Sequence, residues 1–183
     1  MLNNKFSEFV AYFRQVALEH LVLNDFIHGT TADIMGKGRS DLQYPLLWLE
    51  TPSLKIKTSE SGHIEGNRSF AFIILWNVPK DEATPEQIDQ VWELTEAIAL
   101  DVLTRLKRDN KKKLFKFDPG EVSLDPISTL FIDNDYGWRV ELNLEKYLNL
   151  CYEPSRWHLG VAAVTEFTAT PKSISEILLT WKV

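Results

Sequence analysis

The chain is poor in the residues that build the commonest chemical sites. It contains one cysteine, Cys151, and four histidines among 183 residues. A lone cysteine cannot form an internal disulfide, which fits a reducing, intracellular compartment. The four histidines are scattered along the chain, which leaves poor material for a structural zinc site; they are His20, His28, His63 and His158. We therefore expect neither a metal ion nor a cofactor.

Long apolar runs are missing as well. The longest run, residues 70–76, is far shorter than the roughly 20 residues that a helix needs to cross a bilayer. Lys5, Glu8 and Arg14 interrupt the beginning of the chain, which excludes the apolar core of a secretory signal there. The sequence thus predicts a cytoplasmic protein that makes no contact with a membrane.

The chain also lacks an excess of positive charge. Its 26 acidic and 20 basic residues give a formal net charge of −6. This balance argues against direct nucleic-acid binding by the whole surface, while it leaves room for a local basic patch. The length and a hydrophobic content of 44% suit a single domain, residues 1–183, with a substantial core.

One long helix is strongly indicated at residues 85–110. Thr84, Pro85 and Gln87 form a capping box with proline at the first helical position. Acidic residues precede the helix and basic residues crowd its end, as the helix dipole favours. Apolar or small residues then recur at spacings of three and four, which places them on one stripe: Ile88, Val91, Trp92, Thr95, Ile98, Ala99, Val102, Leu103 and Leu106.

Residues 44–146 predict three strands, this helix and two further strands. Residues 70–78 and 44–49 are apolar on both faces, which is typical of covered strands. Residues 138–145 alternate between apolar and polar, and Leu54 and Ile56 alternate with Lys55 and Lys57, so these strands should each have one wet face. We expect an α+β fold with a mixed or antiparallel sheet of about five strands, a core at 4–146 and an extension at 147–183.

A second helix is indicated near the N-terminus. Its apolar stripe begins at Phe6, and the helix should end by about His28 and pack on the sheet. One capped helix covers only one face of a sheet. The other face then needs the N-terminal helix, residues 147–183 or another subunit, and the sequence leaves these alternatives open.

Three short segments have chemical and structural interpretations. Cys151 and His158 offer a nucleophile and a base, but no cysteine-enzyme signature surrounds them, which favours a buried structural thiol. The loop at 29–41 contains Gly36, Lys37 and Gly38 but lacks the frame and the strand-to-helix position of a phosphate loop. Residues 133–137 fail the pattern of a calcium loop and match a hairpin turn.

A basic segment at the end of the long helix is the candidate interaction surface. Such a cluster suits phosphate or an acidic partner surface, although cations at a helix end also complement the dipole and favour a solvated helix terminus. The segment lacks the interleaved aromatic residues of a single-strand groove. Its members are Arg105, Lys107, Arg108, Lys111, Lys112, Lys113 and Lys116.

The element order resembles that of the tail-terminator and head–tail joining proteins of tailed bacteriophages. The resemblance covers residues 4–146 and rests on the order of elements together with the strings Tyr44-Pro45-Leu46-Leu47 and Tyr136-Gly137-Trp138-Arg139. It implies a ring, commonly of six subunits, that caps a tail tube and joins it to the head. It also implies that there is no active site, that the partners are further copies and other tail or connector proteins, and that the protein can be assembled in a phage-like particle.

Function is therefore expected to be structural rather than enzymatic. The alternative is a module that binds a small ligand or peptide with the loop at 29–41 and a pocket on a sheet face. An enzyme that uses Cys151 and His158 ranks last. Native mass in solution separates the first two hypotheses, because only the first requires a ring.

Overall fold

A computed structural model describes residues 5–30, 42–60, 62–79, 84–128, 135–148 and 150. In chain order, the helices and strands are α1 (Phe6–Glu19), β1 (Asp25–His28), β2 (Leu46–Leu49), β3 (Ser53–Thr58), β4 (Ile64–Asn77), α2 (Pro85–Lys111), β5 (Ser123–Ser128) and β6 (Asp135–Tyr147). Residues 151–183, most of the expected extension at 147–183, lie outside the described residues.

The sheet is mixed and has six strands. Its order is β1-β2-β4-β6-β5, and β3 pairs with the first half of β4 beside β2. β1 runs parallel to β2, while every other pair is antiparallel. The α+β class is confirmed, with one strand more than the expected five.

The capping box predicted for α2 is present. The side chain of Thr84 accepts a hydrogen bond from the backbone of Gln87 at 3.3 Å, and the side chain of Gln87 accepts one from the backbone of Thr84 at 3.1 Å. These bonds satisfy two backbone donors that a helix start leaves without partners. The helix runs from Pro85 to Lys111, one residue beyond its predicted end.

The N-terminal helix is shorter than predicted. It ends at Glu19, and His20 already has an extended backbone. Residues predicted to continue the helix instead form β1, which supplies backbone partners to the outer edge of β2. Asn24 stabilises the turn into this strand by donating to the carbonyl oxygen of Tyr44 at 2.7 Å. The pairing outweighs the helical periodicity, because a tertiary contact overrides a weak local preference.

Both helices pack on the same face of the sheet, which we call the helix face. Phe9 and Phe13 of α1 contact Phe70 of β4 edge to face, with ring centroids 4.8 and 5.1 Å apart. The buried side of α2 faces β4 and β6 next to them and consists of Thr95, Ile98, Ala99, Val102, Leu106 and Asp109. The expected packing of α1 on the sheet is confirmed, and it does not cover the opposite face.

The opposite face, which we call the second face, carries a smaller apolar cluster. Ile27, Leu46, Trp48, Ile73 and Leu75 form it, and all five are buried in a single chain. No described helix lies on this face. Because its five side chains are already buried in a single chain, the cluster gives no argument that a neighbouring subunit must cover this face.

The expectation that β3 has one buried face is wrong. All six of its residues are exposed, and Leu54 and Ile56 are 40% and 56% exposed. β3 pairs only with the first half of β4, and the exposure of Leu54 and Ile56 shows that neither helix covers them. The alternation in sequence correctly places the apolar side chains of β3 on one face and its lysines on the other. Whether a face is buried depends on what the rest of the chain packs against it.

Gly137 of β6 is required for the central pairing. A methyl group at this position would lie 1.8 Å from the carbonyl oxygen of Ile74 on β4. We expect Gly137→Ala to lower the free energy of unfolding by about 3 kcal/mol or more, since backbone at the centre of a sheet cannot move aside. Urea unfolding measures this loss.

Gly120→Ala is the matched control, because its added methyl group meets only the movable side chain of Asp118, at 3.3 Å. It should change the free energy of unfolding by less than about 1 kcal/mol. Equal effects of the two substitutions would contradict the role given to Gly137.

Candidate functional site

Asp109, a buried carboxylate near the end of α2, organises the basic segment. Its side chain is only 3% exposed. Arg105 donates to one carboxylate oxygen at 2.7 Å, and the hydroxyl of Tyr12 on α1 donates to the same oxygen at 2.9 Å. The other oxygen accepts from Arg108 at 3.3 Å and lies 3.6 Å from the ammonium group of Lys112. The carboxylate thus ties both helices together and holds three cations.

The environment of Asp109 favours its ionised form. Burial by itself raises the pKa of the carboxyl, but the hydrogen bonds from Arg105 and Tyr12 outweigh burial and hold the pKa below its ordinary value. Burial and the hydrogen bond to this carboxylate raise the pKa of the Tyr12 phenol. Arg105 also forms an ion pair with Glu19 at the end of α1. These groups are arranged to hold charge in place rather than to transfer protons near neutral pH.

Four of the seven predicted interface cations are therefore engaged in ion pairs within the fold. Arg105, Arg108 and Lys112 contact Asp109, and Lys116 pairs with Glu145 of β6 at 2.9 Å. The other three, Lys107, Lys111 and Lys113, are exposed and form no ion pair with any described residue. The basic segment as an interaction surface stays a prediction, and these three lysines are the part of it that a partner can reach.

Lys116, the fourth paired cation, belongs to a second group of ion pairs, which is centred on Glu145 of β6. Glu145 pairs with Lys57 of β3 as well as with Lys116. The hydrogen bond from Lys57, followed by that from Lys116, holds the pKa of Glu145 below its ordinary value. The pairs link β3, β6 and the segment after α2 on one surface.

The other predicted chemical groups lie largely outside the described residues. Cys151 and His158 lie outside the described residues, as do residues 31–41 of the glycine-containing loop and residues 129–134 between β5 and β6. β5 and β6 pair antiparallel, as the two arms of a hairpin do, but the predicted turn at 133–137 is wrong in part, because Asp135, Tyr136 and Gly137 belong to β6. In the described ranges, no group of three His, Cys, Asp or Glu side chains is placed to hold a metal ion.

A small cavity that is open to solvent lies beside the first turn of α1. Phe9, Tyr12, Phe115 and Leu144 provide its apolar wall. Four charged side chains surround it, and they are Lys5, Glu8, Arg68 and Lys146. The guanidinium group of Arg68 lies 5.5 Å from the centre of the Phe9 ring, and burial lowers the pKa of both Arg68 and Lys146. Three cations and one carboxylate around an apolar wall suit a ligand with an acidic head and an apolar body.

Exposed apolar side chains form two further surfaces. The α1-end surface consists of Leu18, Leu21 and Val22, which are 73%, 100% and 40% exposed. The β3 edge carries Leu54 and Ile56. Exposed apolar groups that lie together on a folded protein commonly mark an interaction site.

These two surfaces lie at opposite ends of the sheet. The α1-end surface directly precedes β1, in which Asp25 pairs with Leu46, and Leu46 pairs with Leu75 near the end of β4. Ile56 of the β3 edge pairs with Gly66 near the beginning of β4. The rise per residue of a strand, roughly 3.3 Å, places Gly66 and Leu75 about 30 Å apart.

Comparison of the chain with protein-family models, curated proteins and solved structures finds no match. In the part of the chain that the structure describes, neither helix combines the length and the apolar content of a membrane span. The surfaces and side chains above are thus the ground on which a function can be proposed.

Sequence reasoning missed Asp109 and Arg68 as organising residues. Each carried a signal, because each stands at a position where the local pattern requires an apolar residue. Asp109 follows Leu106 and Val102 on the buried stripe of α2, and Arg68 precedes Phe70 on the helix face of β4. A charged residue in the register of a buried face indicates an internal ion pair or a site.

Asp109→Asn should lower the free energy of unfolding by about 2–3 kcal/mol at neutral pH, because it leaves Arg105 and Tyr12 without their charged acceptor. The pKa of Asp109 is lower in the folded protein than in the unfolded chain. Its carboxylate therefore stabilises the fold above the ordinary aspartate pKa, and this contribution is lost as the pH falls through the folded-state pKa. The difference in the free energy of unfolding between wild type and variant should therefore become smaller in acid. Urea unfolding at several pH values measures this difference.

Asp101→Asn is the matched control on the same helix. The Asp101 side chain is 69% exposed and contacts only His20, at 3.4 Å, among the described residues. Its loss should cost less than about 0.5 kcal/mol. A gap for Asp109→Asn that is the same at every pH would show that the carboxylate charge is not what stabilises the contact.

Proposed function

We propose that this protein is a non-enzymatic structural protein that assembles into a ring, as phage-tail terminators and connectors do. The observation that carries the proposal is the pair of exposed apolar surfaces at opposite ends of one sheet. A connector needs one surface for its own neighbours and another for the next component of the assembly. The α1-end surface suits the first role and the β3 edge suits the second.

The α1-end surface is suited to contact between copies because its three apolar side chains are exposed and their burial in a contact is favourable. Leu21 makes no protective contact in the single chain, since it is fully exposed. Three adjacent apolar side chains that meet a different surface of the next copy form a heterologous contact, and such contacts close into rings when the rotation allows it. The ion pairs between Glu19, Arg105 and Asp109 hold the end of α1 rigid beneath this surface.

A binding module for small acidic ligands is the second candidate function. The cavity beside α1 favours it, because Lys5, Arg68 and Lys146 line an apolar wall with only one carboxylate, Glu8, among them. An aliphatic carboxylate has an acidic head for these cations and an apolar body for this wall. This cavity lies on the helix face, whereas the predicted module used the loop at 29–41, most of which lies outside the described residues.

Native mass spectrometry and light scattering test the ring. The 21.1 kDa chain should form a particle of about six subunits. Leu21→Glu should shift this equilibrium toward the monomer by at least about tenfold in concentration, since it places a charge in an apolar contact. Its unfolding should be unchanged because the side chain is fully exposed in one copy.

Leu100→Glu serves as the control for the ring, because Leu100 is a leucine on α2 that is 48% exposed and belongs to neither surface. It should leave the native mass unchanged. A wild-type chain that stays monomeric at every concentration, or two variants with the same effect, would refute the assignment of the α1-end surface.

Calorimetric titration with octanoate tests the second candidate. Octanoate should bind with a dissociation constant of about 0.1–1 mM, and octan-1-ol, which lacks the charge, should bind more weakly. Lys146→Met keeps the apolar stem and removes the charge, so it should abolish this preference. Equal binding of the acid and the alcohol to the wild-type chain would exclude an anion site in the cavity.

A further inference from the structure

The hydrogen bonds at the hairpin between β3 and β4 determine which backbone groups of β3 point out of the sheet. Residues in an antiparallel pair alternately bond to the partner strand and point away from it. Ser59 donates to His63 at 2.8 Å, while Ile64, the next residue, accepts from Leu148 on the opposite side of β4 at 2.9 Å. The register partner of Ile64 is Thr58. The N–H and C=O of Thr58 therefore point away from β4.

The same alternation turns the backbone groups of Ile56 and Leu54 outward. No described residue donates to or accepts from these groups, because β2, on the same side of β4, already ends at Leu49. The side chains of both residues lie on the helix face and are exposed. An incoming strand requires such a row of open donors and acceptors beside exposed apolar side chains.

The β5 edge of the sheet is protected against such an addition. Glu145 and Lys116 exchange two backbone hydrogen bonds, at 2.7 and 2.9 Å, so Glu145 points away from β4. Alternation along β6 then turns Arg139 the same way, toward its partner Asp125 on β5. Pro126 consequently faces outward, and it has no N–H to offer. Proline at an outward position is a common protection of an edge strand.

Charge on β3 specifies the chemistry of the incoming strand. Lys55 and Lys57 lie on the second face, between the apolar residues. Lys57 already pairs with Glu145, whereas Lys55 lies opposite Asn67 and forms no ion pair with a described residue. A carboxylate opposite Lys55 supplies the missing charge, as opposite charges across two strands stabilise their pairing.

A second β3 strand is a poor occupant of this edge. Two copies paired antiparallel about Ile56 would place Lys55 opposite Lys57 of the second copy. Pairing about Lys55 would place Lys55 opposite Lys55 of the second copy, and pairing about Lys57 would do the same for Lys57. Like charges directly opposite each other destabilise strand pairing, so these three registers disfavour a second copy.

We infer that the outer edge of β3 binds an extended segment of a partner protein with the pattern apolar–acidic–apolar. The segment adds a strand to the sheet, covers Leu54 and Ile56 with its apolar side chains and places its carboxylate opposite Lys55. The inference rests on the proposed function for the biological role of the contact, but the contact itself does not require a ring.

Two labelled synthetic peptides of about seven residues, the length of a short strand, test the inference by fluorescence anisotropy with the full chain. One peptide alternates valine with glutamate and the other valine with lysine. The glutamate peptide should bind at least about tenfold more tightly at roughly 0.1 M salt, where exposed charges still act over neighbouring residues. Lys55→Glu should reverse the preference.

Ile56→Pro tests the backbone contact, because it removes an outward N–H and leaves the bonds to β4 in place. It should weaken binding of the glutamate peptide at least about tenfold, while Ile56→Thr, which keeps the N–H, should stay within about threefold. If Ile56→Pro fails to fold, N-methylation of alternate peptide residues makes the same test from the ligand side and should abolish binding.

Equal affinity of the two peptides for the wild-type chain would overturn the inference, and so would binding that survives the backbone block. Dimerisation that Ile56→Pro removes would show that a second copy is the occupant and would overturn the choice of partner. Native mass measured on the same samples separates the two proposals. A monomer that binds the glutamate peptide refutes only the ring, and a ring that does not bind it refutes only the strand addition.

Discussion

The antiparallel ladder between β4 and β6 is the constraint on which the rest of the structure depends. It runs without interruption from the pair Glu65–Tyr147 to the pair Asn77–Asp135. A side-chain period of two means that this one register assigns every residue of both strands to a face. It also determines toward which neighbouring strand each backbone group points, so the orientation of the outer backbone groups of β3 and β5 follows from it.

The ladder gives the β3 edge and the β5 edge opposite properties. On the β5 side it turns Pro126 outward, and on the β3 side it turns the open backbone groups of Leu54 and Ile56 outward. The helices increase the difference, because neither of them covers the exposed side chains of Leu54 and Ile56. The β5 edge is therefore protected, while the β3 edge has the open backbone groups, the apolar surface and the charge of a docking strand.

The cations at the end of α2 have a structural role that the sequence alone did not indicate. Burial of Asp109 among Arg105, Arg108 and Tyr12 converts a basic helix end into a joint between α1 and α2. The joint in turn holds the end of α1, where the apolar residues of the α1-end surface begin. Electrostatics and exposed apolar surface are coupled here because the same helix end carries both.

The amino-acid sequence by itself determined α2, the α+β class and the strands of the sheet core. A capping box with an apolar stripe, and residues 70–76 apolar on both faces, are local patterns that need no knowledge of neighbours. Tertiary structure alone decided that residues 25–28 form a strand, that both helices share one face and that β3 is exposed. It also decided that Asp109 meets Tyr12. The physical reason is that periodicity reports which side chains seek burial, whereas the partner that buries or pairs them is set by contacts between residues distant in the chain.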